Sequence, residues 1–185
     1  MGVAQRRLDS ATVARLIWGL AGIAWAAASL QLLGGARYWA AASLVDYLAV
    51  WLYTAAWLLA APTILLLARG SSAHANVLAV IFAAAAIVVG AANAGEDAFG
   101  LRWLGTVYVV GVLVAALTLI LLTATLWRAG FGRLAGLTAA LLVGMACVTV
   151  GGGVLVLAAL CALAAAPAWF DIRLGDDRLL TSSAD

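Results

Sequence analysis

The sequence predicts an all-α, polytopic integral membrane bundle of about five transmembrane helices. Three observations carry this. Of the 185 residues, 67% are hydrophobic and only 10% are charged, whereas soluble domains carry about a quarter charged residues. The apolar residues fall in long runs, and a bilayer core roughly 30 Å thick takes about 20 of them per helix. Short polar segments separate the runs, so no soluble domain remains.

The first span is read at about Thr12–Leu33, opened by the cap candidates Asp9 and Ser10 and closed by Gly34-Gly35. Arg6, Arg7 and Arg15 flank its start, and Trp18 and Trp25 lie seven apart on one face. A cleaved signal peptide would also begin with positive charge, but this stretch is long and is read as a retained span.

An amphipathic lead-in over Tyr38–Val45 feeds the second span, about Tyr47–Ala68, with Ser43 and Asp46 at the spacing of a capping box. Pro62 removes a backbone donor inside this helix and frees the carbonyl of Leu58. Tyr47 with Trp51, and Tyr53 with Trp57, recur at i,i+4 and can serve as bundle packing or as the lining of a lipid or quinone cavity.

The third span is read at about Ala75–Ala92 and ends in the polar string Asn93-Ala94-Gly95-Glu96-Asp97, expected as a loop. The fourth, about Trp103–Trp127, is bracketed by tryptophans, which favour the membrane interface. Its Thr118, Thr123 and Thr125 are expected to bond back to their own helix carbonyls.

The apolar stretch Leu134–Ala166 exceeds one straight span and falls short of two. It is read as one long or tilted helix softened at Gly151-Gly152-Gly153, in preference to a pair of short helices or a re-entrant segment. On that reading the polar tail, 171–185, lies on the side opposite the N-terminus.

Cytoplasmic loops carry excess basic residues. With the N-terminus in the cytoplasm of a plasma membrane, Arg6, Arg7, Arg15, Arg69, Arg128 and Arg133 lie inside and Arg37, Arg102, Arg173 and Arg178 outside. All ten basic residues are arginine and alanine abounds, a usage suggesting a GC-rich bacterial genome and excluding a Schiff-base lysine.

The residues with most chemical potential are Asp46, Asn93, Glu96, Asp97 and Arg102, placed by this topology on one outward-facing side. Carboxylates beside an arginine can bind a cation, relay protons or hold a headgroup, and polar groups at membrane depth need partners. The bland reading is a helix cap for Asp46 and a hydrated loop for Glu96 and Asp97. Acids after a helix C-terminus oppose its dipole unless they serve the next helix.

A lone histidine, His74, leaves no bis-histidine haem, and neither a Cys-x-x-Cys pair nor a His-Glu-x-x-His motif suggests a metal site. No cofactor, catalytic residue or nucleic-acid partner is therefore expected. Cys147 and Cys161 read as small buried hydrophobes. Gly132, Gly136, Ala140 and Gly144 form a small-residue ridge for close helix packing, within the bundle or against a second copy or another membrane protein. Membrane lipids are the expected surroundings.

The functional expectation is a small helical scaffold or accessory subunit, leaning away from an enzyme. The alternative is a small transporter, channel or lipid-handling protein using the outward-facing polar cluster.

Overall fold

The computed structural model describes residues 2–36 and 41–164, with side chains for 12–36, 41–148 and 150–162. All regular structure among them is helical: α1 Gly2–Leu33, α2 Leu44–Ala68, α3 Ala73–Asn93, α4 Leu104–Arg128, α5 Gly132–Ala146 and α6 Gly152–Ala164. A π-helical turn, Ala94–Ala98, extends α3, and a 3-10 turn, Val148–Val150, follows α5. Four segments are long and apolar enough to cross a membrane: Thr12–Leu33, Leu44–Ala68, Ala73–Ala98 and Leu104–Arg128. The chain is a helical membrane bundle.

Each helix packs antiparallel on its neighbour in sequence, and α6 returns to α1 to close a ring. Trp25 of α1 meets Trp57 of α2, Asn93 of α3 meets Thr54 of α2, Val89 of α3 faces Gly111 of α4, and Thr123 of α4 meets Thr138 of α5. Apolar side chains are exposed all round the outside, including Leu16, Val80, Leu113 and Leu117, as expected of a surface that faces lipid tails.

Local signals account for most helix boundaries. Ser43 and Asp46 form the expected capping box: the Ser43 hydroxyl accepts from Asp46 N, and Asp46 Oδ2 accepts from Ser43 N at 3.0 Å. Ser72 caps α3 by accepting from Ala75 N at 3.2 Å. Pro62 stands inside α2, where Thr63 Oγ1 donates to the Leu59 carbonyl at 2.8 Å. Thr118, Thr123 and Thr125 bond back to carbonyls four residues earlier. Trp103 and Trp127 are exposed at the two ends of α4.

Four expectations are corrected. Asp9 and Ser10 lie inside α1, which starts at Gly2, so neither caps its beginning. The string after Asn93 is a continuation of the α3 path, closed at Gly100 with φ +71°. Cys147 and Cys161 are exposed, the first capping α5 and the second within α6, so they do not share a helix or fill the core.

The fourth correction is topological. The stretch after Leu134 is a helical hairpin, α5 and α6, and not one tilted helix. Gly144 of α5 lies against Val156 and the Gly152 carbonyl of α6, and Leu141, Met145, Val156 and Leu160 line one small void, as an antiparallel pair requires. Three glycines make the reversal possible. Gly151 adopts φ +93°, a left-handed conformation that side chains disfavour. A Cβ on Gly152 would run into the Gly144 carbonyl, and one on Gly153 into the Trp25 carbonyl of α1. Ser29 of α1 ties down the tip, accepting from Gly153 N at 3.3 Å and donating to the Val148 carbonyl.

Consequently Ala164 lies at the end of the bundle where α1 begins. Arg37 and the tail 171–185 lie outside the described residues, as do Tyr38–Ala40 of the lead-in.

Candidate functional site

The polar residues singled out in the sequence separate into different local roles. Asn93 is buried in the α2–α3 interface, where Nδ2 donates to Thr54 Oγ1 at 2.9 Å and to the Val50 carbonyl at 3.3 Å. Asp46 is held in its capping box at the start of α2. Arg102 is exposed in the turn before α4.

Glu96 and Asp97 are partly buried neighbours in the π-helical turn. The Glu96 carboxylate lies over Gly105 in the first turn of α4, so close that a Cβ there would meet Glu96 Cδ at 2.9 Å. A negative charge at a helix N-terminus is favourable by about 0.3–1 kcal/mol, and α4 has no side-chain cap of its own. This placement answers the dipole objection: Glu96 follows α3 but serves α4. None of Asp46, Asn93, Glu96, Asp97 and Arg102 lines either interior cavity described below. Among the described residues no group of three or more His, Cys, Asp or Glu side chains is arranged to hold a metal.

The aromatic residues of α2 divide by face. Tyr47 and Trp51 point outward, Trp51 packing edge-on against Phe99 with ring centroids 6.2 Å apart. Tyr53 and Trp57 point inward and join Trp25 of α1 in an edge-to-face cluster with centroid separations of 5.7, 5.4 and 6.3 Å. Such pairs each add about 0.5–1.5 kcal/mol beyond burial. The Tyr53 hydroxyl meets the Tyr108 hydroxyl of α4 at 3.0 Å.

This cluster forms one wall of an interior cavity of about 270 Å³, completed by Phe82 of α3, Val112, Ala115, Ala116 and Leu119 of α4, and Leu142, Met145, Ala146 and Val148 around the hairpin tip. Trp57, Phe82 and Ala116 each sit within one residue of the midpoint of their helix (residues 56, 83 and 116), so the cavity lies beside the middle turns of α2, α3 and α4. Its mouth is the seam between α4 and α5, where Val112, Ala116 and Leu142 are only partly buried and Ala146 is exposed. A second, smaller void of about 10 Å³ lies between α1, α2 and the hairpin, room for one water at most.

The i,i+4 pair Tyr53 and Trp57 was the legible trace of this cavity. The α5 wall was not legible, because it exists only once the chain reverses at Gly151. Comparison with family models, curated proteins and solved structures finds no match.

Proposed function

We propose that this protein is a lipid-handling membrane protein, which holds an elongated apolar molecule in the interior cavity between α2, α3, α4 and α5. One observation carries the reading: the cavity is lined almost entirely by apolar and aromatic side chains and has its mouth on a lipid-facing seam. Ligand sites of membrane bundles lie between helices, and such pockets are mainly apolar with few polar groups. An engineered apolar cavity of about 150 Å³ already binds benzene, so this volume suits a substituted ring or a short length of chain.

The membrane we assign is the plasma membrane, with the N-terminus in the cytoplasm. The arginines support that orientation. Among the described arginines, Arg6, Arg7, Arg15, Arg69, Arg128 and Arg133 lie toward the end of the bundle where α1 begins and Arg102 toward the other, the pattern of a positive-inside bias.

The scaffold or accessory reading stands second. It draws on the outer part of the small-residue ridge: Gly136 is exposed with no atom within 4 Å of a Cβ built there, leaving room for a second copy or another membrane protein.

The test of the first reading is native mass spectrometry of the full chain released from detergent with decylbenzene added. A one-to-one adduct is expected, abolished by Ala116→Leu at the mouth. Absence of any adduct, or an adduct indifferent to Ala116→Leu, would overturn it.

A further inference from the structure

Met145 of α5 alone among the described residues lines both interior spaces, the cavity of about 270 Å³ and the void of about 10 Å³. The void continues the cavity along the bundle toward the end where α1 begins. On α2 the cavity is lined by Tyr53 and Trp57, and the void by Ala60, Thr63 and Ile64 further along the same helix. On α5 Leu142 lines the cavity and Leu141 the void. The partition between them is therefore Met145 together with the rings of Trp25 and Trp57, which line one space each and pack edge to face with centroids 5.4 Å apart. Both rings are held further by Tyr53. Met145 is unbranched, with three rotatable bonds, so its side chain is the part of this wall that can be moved or cut away without dismantling the aromatic cluster.

Resting on the lipid-handling reading, we propose that Met145 is the floor of the cavity and sets which lipids it takes: those that bring a single ring or an unbranched chain, and not those built on fused rings. An apolar cavity of about 150 Å³ accommodates the six carbons of benzene. By the same measure the fourteen ring carbons of three fused rings need roughly 350 Å³, more than the cavity of about 270 Å³ offers. The missing room lies behind Met145, where the void is walled by the small side chains of Ala21 and Ala60 and where the Thr63 hydroxyl is already spent on the Leu59 carbonyl. That space is closed to a ligand as long as the Met145 side chain stands in front of it. The other end offers no substitute, because the cavity opens there into lipid at the seam of Val112, Ala116 and Leu142.

The experiment sets decylbenzene against 9-decylphenanthrene, equal in chain and different in ring size, for binding to the full chain in detergent by native mass spectrometry. The native chain is expected to favour decylbenzene roughly tenfold or more, since forcing extra carbons into a filled site is strongly unfavourable. Met145→Ala, which removes three heavy atoms and joins the void to the cavity, is expected to erase that preference. Leu141→Ala and Leu142→Ala remove as many heavy atoms from the void alone and from the mouth alone, and both are expected to keep it. Equal binding of the two probes by the native chain would overturn the size limit and leave the lipid-handling reading intact. Binding of neither probe would overturn both. A preference that survives Met145→Ala, or one lost equally in Leu142→Ala, would overturn the role given to Met145. The native-chain comparison decides even if a variant fails to fold.

Discussion

Asn93 Nδ2 lies 2.9 Å from Thr54 Oγ1, joining α3 to α2 by a side-chain bond inside the bundle. Thr54 can also turn its hydroxyl to its own helix, so the amide is the less replaceable member. Interhelical bonds of this kind average about 0.6 kcal/mol and reach about 1.7 kcal/mol in membranes. Asn93→Ala is expected to lower unfolding stability by about 1 kcal/mol, with a coupling to Thr54→Val below 2 kcal/mol. Steric trapping of unfolding in bicelles measures both, and a larger coupling would indicate that Asn93 belongs to a wider polar network.

Gly153 of α6 lies directly against the Trp25 carbonyl of α1, backbone on backbone. Neither side can yield by rotating a side chain. Gly153→Ala is therefore expected to destabilise by about 2–3 kcal/mol, the upper part of the overpacking range. Gly136→Ala, in open space, should leave stability within about 0.5 kcal/mol of the native chain. The same unfolding assay separates them, and equal effects would contradict the α1–α6 packing.

The hairpin makes a topological prediction. A reporter fused after Ala164 should lie on the same side of the membrane as one fused to the N-terminus, since α6 runs back along α1. A single fifth span would place them on opposite sides. Paired fluorescent-protein and phosphatase fusions read the result directly.

Glu96 and Gly105 form a matched pair, the missing side chain making room for the carboxylate. Gly105→Ala is expected to cost about 1–2 kcal/mol by overpacking. The double variant with Glu96→Ala should recover most of the packing loss but keep a deficit of under about 1 kcal/mol, from the lost charge at the start of α4. If the double variant were as unstable as the sum of the singles, the contact would be no source of the loss.

Gly132, Gly136, Ala140 and Gly144 do not act as one ridge. Gly144 is consumed within the hairpin, where an added Cβ would meet Val156, while Gly136 faces outward. Should the protein associate through α5, Gly136→Leu is expected to dissociate it without unfolding, whereas Gly144→Leu should unfold the hairpin. Size-exclusion chromatography with light scattering, beside thermal unfolding, distinguishes the two.

The sequence by itself determined the membrane class, the four long helices and several of their ends. Those features are local: apolar run length, the Ser43 and Asp46 capping box, and tryptophans at the ends of α4 are each written in consecutive residues. It also marked Tyr53 and Trp57 as a pair on one face of α2. Only the tertiary structure decided that Leu134–Ala166 folds back on itself, because hydropathy does not distinguish a long helix from two short ones. The distinction lies in what Gly151, Gly152 and Gly153 meet, and Gly153 meets α1, more than a hundred residues earlier. The polar residues were legible as a group by side of membrane, yet Asn93 turned inward to Thr54 and Glu96 onward to α4. Side-chain direction is set by the rotation and packing of each helix, which depend on contacts between distant segments and not on spacing alone.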